Sequence, residues 1–451
     1  MRRLPTGAPP PKPRSKAAAP PAIRETLRIE SLAAGGAGVA RLANGTVVFV
    51  PGAAAGEVVE VEVNTARKPA HGRVLRLVEA SPERVAPPCP HLAACGGCDW
   101  MHLSAQALVQ GHAAVVLGAI AHALPGAAIP DITVHAAPTP LAYRTRARLF
   151  LKTDRHRVHV GYRAASSHEL APVDACVVLD PAIAPVVGDL AAVLAGARGD
   201  GDASIARGRG GLPVISLEWR GELAPATWAA LDARVTQGVW AGARVTLHGA
   251  GQAATFGDPR PVLDGADGAP LFIAAAGFAQ TSDAGAAQLA RRVDELARIE
   301  PAGARRPRHV VELFAGSGTL STLLARDAAS FVAVEIDPAA AAAARENLSA
   351  RGLPARVVAA DADAFTLPAS ASVVVLDPPR AGAPGAARAI AASAARVVVY
   401  VACDPSTLAR DLGVLTGGRL AITHIETFEL FPQTSHVETV VRLERVRPEK
   451  G

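Results

Sequence analysis

Three cysteines lie within one short segment, CPHLAACGGC, at Cys89, Cys95 and Cys98. Thiolates at this density are typical ligands of zinc or of an iron–sulfur cluster. A fourth ligand must come from elsewhere, and Cys176, in the segment VDACVVLDP, is the candidate upstream of the C-terminal third. The residues by themselves leave zinc and an iron–sulfur cluster equally open. The chain has five cysteines, and an odd number of thiols disfavours a disulfide framework.

The fifth cysteine, Cys403, stands in the segment VACDP, directly after an apolar run that predicts a buried strand. A thiol at the end of a strand is well placed to act as a nucleophile. Further along the chain, the segment FPQTSHVETV contains His436 and Glu438. Either side chain can serve as a general base beside a catalytic thiol. We therefore expect a nucleophile and a base in the C-terminal part of the chain.

A glycine turn and two carboxylates indicate a cofactor. Gly316 and Gly318 lie between an apolar run and a segment that predicts a helix, where the backbone can approach a ligand closely. Glu335 follows Gly316 by 19 residues, the usual place of a carboxylate that binds ribose hydroxyls. These residues indicate a nucleoside-containing cofactor without distinguishing NAD from S-adenosylmethionine. Asp377 begins the segment DPPR, whose prolines stiffen the chain where a planar substrate would approach.

The elements that must position these residues alternate along the C-terminal part, from about residue 270. Five apolar runs typical of buried strands lie at 309–314, 331–337, 355–361, 371–380 and 395–405, with alanine-rich segments between them. This alternation predicts an α/β fold with a doubly wound parallel sheet. Ligands of such sheets bind at the carboxyl ends of the strands. We therefore expect the glycine turn, Glu335, Asp377 and Cys403 to meet at one edge of the sheet.

The N-terminal part has a different pattern of short β-rich segments. Five of them lie at 26–32, 39–41, 46–50, 57–63 and 73–78. Asn44-Gly45, between two of these segments, is a strong hairpin signal. Five short strands in so few residues predict a small closed barrel of the oligonucleotide-binding kind.

A basic hairpin is predicted at residues 141–163, after a helix-like stretch from Ser104 to Leu124. Its first strand carries three arginines that share one face because they alternate along the chain: Arg144, Arg146 and Arg148. Tyr143 and Tyr162 flank the hairpin and can stack on bases. We interpret this face as a phosphate-binding surface, and a merely solvated strand face is the alternative.

Length and charge limit the class of protein. The 451 residues are enough for two to four domains, and no apolar run approaches the roughly 18–20 residues that a membrane span needs. The net charge of +5 equals the charge of residues 1–22, where five basic residues occur without an acid. We interpret that tail as a solubilising extension or a non-specific anchor for nucleic acid. An integral membrane protein is excluded, secretion is disfavoured, and a cytoplasmic location is expected.

Four segments, ELFAGSGTL, DPPRAG, VACDPSTLARDL and FPQTSHVETV, resemble the motifs of the RNA uracil-C5 methyltransferases that use S-adenosylmethionine. The resemblance covers nearly the whole chain after the tail. It implies a C-terminal Rossmann-like methyltransferase domain, an N-terminal barrel of the TRAM type, and a central α+β domain that binds iron–sulfur and RNA. Two positions differ from the common family pattern, since Thr319 and Ser282 stand where asparagine is frequent.

The resemblance also implies roles for single residues. Cys403 would add to C6 of uracil, and Glu438 would remove the C5 proton after methyl transfer. Five residues would surround S-adenosylmethionine: Gln280, Phe314, Thr319, Glu335 and Asp377. Four cysteines would hold the [4Fe–4S] cluster of the ribosomal RNA branch: Cys89, Cys95, Cys98 and Cys176.

We expect four regions: a disordered tail at 1–22, a TRAM barrel at 23–82, a central domain at 83–265 and a catalytic domain at 266–451. The helix near 104–124 is expected to pack on the catalytic domain. The implied partner is RNA, with ribosomal RNA favoured because barrel and cluster occur together, and no obligate protein partner is evident.

Several rivals stay open at this point. One is an RNA-binding or assembly protein on an inactive methyltransferase fold, and another forms 5-methyluridine in transfer RNA. A cytosine-C5 methyltransferase also uses a thiol. A radical S-adenosylmethionine enzyme is disfavoured, since its usual Cys-x3-Cys-x2-Cys spacing is missing from this sequence.

Overall fold

The structure is a computed structural model that describes residues 23–66, 68–154, 157–275, 277–298 and 308–446. The basic tail at 1–22 lies outside the described residues. Within these ranges, no helix has both the length and the apolar character to cross a membrane. The chain divides into two compact units, one with Ala37–Pro82 and the chain up to Ala33, the other with Ala34–Gly36 and Glu83–Gly451.

The first unit is built on one six-stranded sheet. Its strands are β1 (Ile23–Arg28), β2 (Ser31–Leu32), β3 (Gly38–Arg41), β4 (Val47–Val50), β5 (Val58–Asn64) and β6 (Ala70–Glu79), in the order β1-β5-β6-β4-β3-β2. The sheet closes into a barrel because the continuous stretch 23–32 pairs first with β5 and then with β3. Valines and glutamates alternate along β5, so that the valines fill the barrel and the glutamates face outward.

The barrel has one strand more than the sequence predicts. The segment 26–32, predicted as a single strand, contains parts of both β1 and β2. The change occurs where the Ile29 amide donates to the Glu57 carbonyl while the Glu30 amide donates to the Val39 carbonyl (both 2.8 Å). One stretch of chain can serve two partners because opposite sides of a strand carry separate hydrogen-bonding groups.

The second unit begins with the cysteine segment, helix α1 (Ala105–Ala123) and strand β7 (Ile132–His135). Ser104 caps the helix, since its hydroxyl accepts a hydrogen bond of 3.1 Å from the Ala107 amide. The predicted helix at 104–124 is therefore present with nearly the expected bounds.

A seven-stranded sheet follows, in the order β10-β9-β8-β11-β12-β13-β14. Its strands are β8 (Arg146–Thr153), β9 (Val158–Arg163), β10 (Leu170–Pro172), β11 (Arg198–Arg207), β12 (Pro213–Glu222), β13 (Gly242–Leu247) and β14 (Ala254–Gly257). Helices α2 (Val186–Val193) and α3 (Pro225–Thr236) accompany it, and β15 (Val262–Asp264) pairs with β16 (Pro270–Phe272). The predicted basic hairpin is formed by β8 and β9, which pair in antiparallel register.

The C-terminal sheet has eight strands, in the order β19-β18-β17-β20-β21-β23-β22-β7. Its remaining strands are β17 (Arg308–Leu313), β18 (Ala328–Glu335), β19 (Arg356–Ala359), β20 (Val373–Leu376), β21 (Val397–Ala402), β22 (Leu420–Phe428) and β23 (Glu438–Arg445). The helices are α4 (Asp283–Leu296), α5 (Ser321–Leu324), α6 (Pro338–Ser349), α7 (Pro384–Ala392) and α8 (Pro405–Gly417). The strands from β19 to β21 are parallel, which confirms the predicted α/β fold.

Helix α1 and strand β7 join this C-terminal sheet from a distant part of the chain. β7 pairs with β22 in parallel register, from Ile132 opposite Ile425 to His135 opposite Phe428. Val116 and Ile120 of α1 are fully buried in the core that the sheet shares with α7 and α8. Residues 105–135 thus contribute to the layers that carry the predicted catalytic residues.

One buried carboxyl in the C-terminal sheet makes stability depend on pH. Glu312 of β17 is 2% exposed and accepts a hydrogen bond of 2.5 Å from the Ser321 hydroxyl. Burial, helped by the nearby charge of Asp377, raises the pKa of Glu312 to about 8. The folded protein therefore keeps this carboxyl protonated at a pH where the unfolded chain has lost the proton.

We expect the Glu312→Gln variant to gain stability over the wild type as the pH rises from about 5 to about 8. Stability from the protonated carboxyl is complete below the unfolded-state pKa and is lost as the pH rises through the folded-state pKa. The amide does not titrate, so the difference in unfolding free energy should grow by at most about 1.4 kcal/mol per pH unit. Urea unfolding at several pH values measures it. Glu346→Gln, with a half-exposed side chain on α6, is the control. A difference that stays constant with pH would contradict the assignment.

Candidate active site

Two strands that run in opposite directions bring the predicted nucleophile and base to one edge of the sheet. Cys403 directly follows β21, and Glu438 is the first residue of β23. Ala402 lies opposite Thr439 in the antiparallel register, so the next position along places Cys403 opposite Glu438. The two side chains are close enough to interact, since the negative charge of Glu438 contributes to the raised pKa of the Cys403 thiol.

Asp377 lies at the same edge, directly after β20, the parallel neighbour of β21. Burial raises its pKa to about 7. Burial also raises the pKa of Glu438 well above its usual range, and the Asp377 charge adds to this shift. Two carboxyls in one dry site resist carrying two charges. The pair therefore holds a proton at a pH where exposed carboxyls have none.

Glu438 has a free acceptor atom inside this site. Its side chain is 2% exposed, and its Oε1 has no hydrogen-bond partner among the described residues. A buried carboxyl oxygen without a partner is costly, by about 1–3 kcal/mol. Such a group is typical of a site that a ligand completes.

Arg380 provides a positive charge that acts on the Cys403 thiol. Burial raises the pKa of Cys403 to about 11, with Glu438 and Asp377 adding to the shift and Arg380 opposing it. The Arg380 guanidinium also lies 3.3 Å from His436 Nε2. A guanidinium can only donate, so this His436 nitrogen accepts. Desolvation and the Arg380 charge lower the pKa of His436, so its ring is neutral. Of the two candidate bases, Glu438 is therefore the one with a free acceptor atom.

The glycine turn follows β17 at the same edge. Gly316 has a φ of +56°, and Phe314 before it has a φ of +61°. Glycine adopts the left-handed conformation freely, whereas Phe314 needs support from its surroundings. The Gly316 amide donates a hydrogen bond of 2.8 Å to Glu335 Oε2, which connects the turn to the end of β18. Phe314, Glu335 and Asp377 therefore lie at the ends of three adjacent strands, as the sequence predicts.

Thr319 lies in this turn, and Gln280 follows a segment that contacts it. The Ser317 hydroxyl accepts a hydrogen bond of 3.3 Å from the Ala274 amide, which holds the segment before Gln280 against the turn. Gln280 is 7% exposed, and its Oε1 has no partner among the described residues. Thr319 is partly buried in the turn. Ser282 has a structural task, since its hydroxyl caps α4 by accepting 3.1 Å from the Gly285 amide.

The four remaining cysteines surround one cavity, which Met101, Arg144 and Tyr162 also line. Burial raises the pKa of Cys98 to about 12 and also raises that of Cys95. The Tyr162 hydroxyl donates to the Cys176 sulfur at 3.6 Å. In the described part of the chain, no three cysteine, histidine or acidic side chains are arranged to hold a single metal ion. The structure thus brings the predicted thiols together around a space without forming a compact one-ion site.

The three arginines of the basic hairpin line a cleft of about 370 Å³, together with Ser204, Ser216 and Phe278. The charge of Arg148 is neutralised by two ion pairs, with its guanidinium 3.4 Å from Asp202 and 3.7 Å from Glu218. In contrast, Nε of both Arg144 and Arg146 is buried without a hydrogen-bond partner among the described residues. Burial lowers the pKa of Arg146 to about 10, which leaves it charged at neutral pH.

The expectation that the two tyrosines stack on bases is wrong. Tyr143 and Tyr162 are 6% and 9% exposed, so neither ring faces solvent. Their hydroxyls are used inside the protein, by the Pro432 carbonyl and by Cys176. The aromatic side chain that borders the cleft is Phe278, which is 76% exposed. Sequence reasoning missed it, although a large apolar residue two positions before Gln280 was an available signal.

Comparisons with known proteins agree with this geometry. Three family models match parts of the chain: a TRAM domain at residues 24–75, a methyltransferase domain at 310–406, and a tRNA (Uracil-5-)-methyltransferase model at 368–446. A crystal structure of the Pyrococcus abyssi tRNA (uracil-54, C5)-methyltransferase in complex with S-adenosyl-L-homocysteine covers 93% of this chain and 100% of its own. At 20% identity and a TM-score of 0.68, it shares the fold.

Curated relatives extend the likeness along nearly the whole chain. The chain is 35% identical to the 23S rRNA (uracil(1939)-C(5))-methyltransferase RlmD of Chromohalobacter salexigens, over 95% of this chain and 90% of the relative. It is 34% identical to an uncharacterized RNA methyltransferase of Gloeobacter violaceus, over 93% of this chain and 96% of the relative. Because relatives at this identity span both units and every motif at the sheet edge, the chain belongs to the family of S-adenosylmethionine-dependent RNA uracil-C5 methyltransferases.

Proposed function

We propose that this protein methylates C5 of a uridine in 23S ribosomal RNA, at the position that corresponds to the one named for its RlmD relatives. The observation that carries the chemistry is the placement of Cys403 opposite Glu438, with Asp377 beside them. The choice of ribosomal RNA rests on the relatives, seven of which carry this name at 32–35% identity. Ribosomal RNA and reduced thiols both fit a cytoplasmic location.

The reaction needs a nucleophile because uracil C5 is too weak to attack a methyl sulfonium directly. The Cys403 thiolate would add to C6, which moves electron density through C5 to the carbonyl oxygen and forms an enolate. The positive charge of Arg380 favours the thiolate that starts this step. Burial raises the pKa of Asp377 to about 7, so that this carboxyl can donate a hydrogen bond to the enolate oxygen when it carries the proton of the pair.

The second half of the reaction needs a base. Once C5 carries the methyl group, it holds both that group and a proton, and the ring is still bonded to Cys403. Glu438 would accept the C5 proton with its free Oε1. The electrons of the C–H bond then restore the C5–C6 double bond and release the sulfur. His436 is less suited because its Nε2 already accepts from Arg380.

S-adenosylmethionine supplies the electrophilic methyl group when it is bound. The residues at the strand ends fit such a ligand. The unpartnered Oε1 of Gln280 can accept a hydrogen bond from it. Glu335 ends β18, the position from which a carboxylate can bind ribose hydroxyls, and a Cβ at Gly316 would meet nothing within 4 Å, so the turn is open to a ligand. Phe314 and Thr319 would complete the pocket.

The target base must leave its stack to reach this site, at a cost of a few kcal/mol. Contacts with the flanking RNA can offset that cost. The cleft lined by Arg146 and Phe278 suits this purpose, because it combines an exposed ring with a guanidinium whose buried Nε has no hydrogen-bond partner among the described residues. We propose that Arg146 contacts a phosphate there.

For the four thiols we propose a [4Fe–4S] cluster with a structural or RNA-positioning role. Cys89, Cys95, Cys98 and Cys176 share one cavity, which is the donor set that such a cluster requires. The resemblance of the cysteine segment to the four-cysteine site of the ribosomal RNA branch favours a cluster over zinc. The methylation chemistry contains no redox step.

Two variants should separate nucleophile from base. Cys403→Ala removes the sulfur, so neither an adduct nor methyl transfer should occur. Glu438→Gln leaves the thiol but removes the proton acceptor, so methylated RNA should stay attached to Cys403. With a labelled methyl donor and a 23S ribosomal RNA fragment, a protein–RNA band on a denaturing gel should appear for Glu438→Gln only.

A transfer RNA transcript serves as the competing substrate in the same assay. Bands of equal strength from both variants would show that another residue is the nucleophile. Normal turnover by Glu438→Gln would exclude it as the base. Methylation of the transfer RNA alone would overturn the proposed substrate.

The metal content tests the cluster. Protein purified without oxygen should be brown and contain about four irons per chain. Cys176→Ser should lose most of this iron, whereas Cys403→Ser, which changes a thiol outside the cavity, should keep it. Metal analysis that finds one zinc and no iron would contradict the proposal.

The cleft is tested by salt dependence. Arg146→Ala should weaken RNA binding and lower the slope of log affinity against log salt by about one, because one phosphate contact is lost. The affinity for S-adenosylmethionine should not change. Arg220→Ala is the matched control, since this exposed arginine is already bonded to Asp200. An unchanged slope for Arg146→Ala would mean that the cleft does not bind phosphate.

A further inference from the structure

The loop that precedes Glu438 is held by hydrogen bonds with residues 99–143, the segment that follows Cys98. Four consecutive loop residues each make a hydrogen bond with this part of the chain. Three loop carbonyls accept hydrogen bonds: Pro432 from the Tyr143 hydroxyl (3.0 Å), Gln433 from the Trp100 amide (3.1 Å) and Thr434 from His112 Nε2 (3.0 Å). The fourth residue, Ser435, donates to the Asp99 carboxylate from its amide (2.7 Å) and from its hydroxyl (2.6 Å).

We propose that Asp99 is a positioning residue for the catalytic base, through which the cysteine site controls where the Glu438 carboxyl lies. Asp99 directly follows Cys98, and Ser435 lies three residues before Glu438. The inference rests on the proposed role of Glu438. It adds a physical link between two sites that the methylation chemistry by itself does not connect.

The loop needs such support because it is irregular. Strand pairing begins only at Glu438, so residues 431–437 have no ladder of their own. Gln433 has a φ of +74°, a left-handed conformation that is unfavourable for a non-glycine residue. A residue in this conformation persists only when neighbouring groups hold it. The bond from the Trp100 amide to the Gln433 carbonyl supplies part of that restraint.

Asp99 makes the strongest contact of the four. It accepts two hydrogen bonds on separate oxygens, and bonds to an ionised acceptor are about twice as strong as neutral ones. Because one bond comes from the backbone and the other from the side chain of Ser435, both the path of the loop and its rotation are restrained.

The anchor on the cysteine side is rigid. Trp100 and Met101 are at most 1% exposed, and the Trp100 ring stacks on His112 with centroids 4.7 Å apart. His112 is itself fully buried and bonded to Glu429 at 2.9 Å. A shift of Cys98 would therefore pass to Asp99 rather than be absorbed by a flexible segment.

The test measures where the reaction stalls. In Asp99→Ala the loop loses two bonds and the Glu438 carboxyl loses its fixed position, while Cys403 is untouched. Methyl transfer should continue, proton removal should slow about tenfold, and the methylated RNA–protein adduct should accumulate. Asp99→Asn, which keeps one good acceptor, should accumulate less. Iron content and the affinity for S-adenosylmethionine should equal those of the wild type.

Two further variants exclude a general loss of structure. Asp174→Ala removes another carboxyl near the cysteines, one that bonds to His91 at 2.7 Å and does not contact the loop. It should show no adduct. Ser435→Ala approaches the same contact from the loop, far from the cysteines in sequence. Combined with Asp99→Ala, it should add little to the slowing, because both changes remove one interaction.

The outcomes separate the two levels of the proposal. If Glu438→Gln accumulates adduct and Asp99→Ala does not, the positioning role is wrong and the proposed base stands. If Asp99→Ala slows methyl transfer and proton removal equally, or lowers iron content, its role is structural and the inference also fails. If Glu438→Gln itself accumulates no adduct, the proposed role of Glu438 as the base is wrong, and the inference about Asp99 falls with it.

Discussion

The site depends on one antiparallel strand in an otherwise parallel half of the sheet. β23 lies between β21 and β22 and runs against β21. A parallel strand in that place would put its first residue at the opposite edge, away from the ligand-binding side. Because β23 is reversed, its first residue, Glu438, comes to the edge where β21 ends at Cys403. The proposed nucleophile and the proposed base are thus separated in sequence and adjacent in space.

The second constraint is that the ionisable side chains at this edge are buried away from water. Burial raises the pKa values of Asp377, Glu438 and Cys403. The Asp377 charge adds to the shift of Glu438, and both carboxylates add to the shift of Cys403. A protonated Asp377 can donate a hydrogen bond, and a proton acceptor with a raised pKa suits removal of a carbon-bound proton. The positive charge of Arg380 opposes the shift of Cys403 and favours its thiolate. The same burial that makes the charges expensive therefore prepares the groups for acid–base work.

The region between the cysteines and β8 connects the parts of the second unit. Arg144 lines both the cavity of the four thiols and the arginine cleft. Asp99, Trp100, His112 and Tyr143 hold the loop before Glu438. Helix α1 and β7 belong to the layers of the C-terminal sheet. Three of the proposed cluster ligands, Arg144 and the residues that hold the loop before Glu438 thus lie in one continuous stretch of chain, 89–144, which gives the thiol site a physical route to the proposed base.

The sequence by itself determined the features that depend on local pattern. The valine-rich runs of β20 and β21 are buried on both faces, so their hydrophobicity is continuous, and the alternation in β5 reports a barrel wall. Motif chemistry also indicated Cys403, Glu438 and the four thiols.

Tertiary structure decided what depends on distant partners. No strand is predicted within the glycine-rich stretch 196–265, yet it forms β11 to β15, because its strands are specified by their neighbours rather than by their own composition. β7 pairs with a strand almost 300 residues away, and Asp99 meets Ser435 across 336 positions. Such contacts leave no periodic trace in either segment, so only the folded chain reveals them.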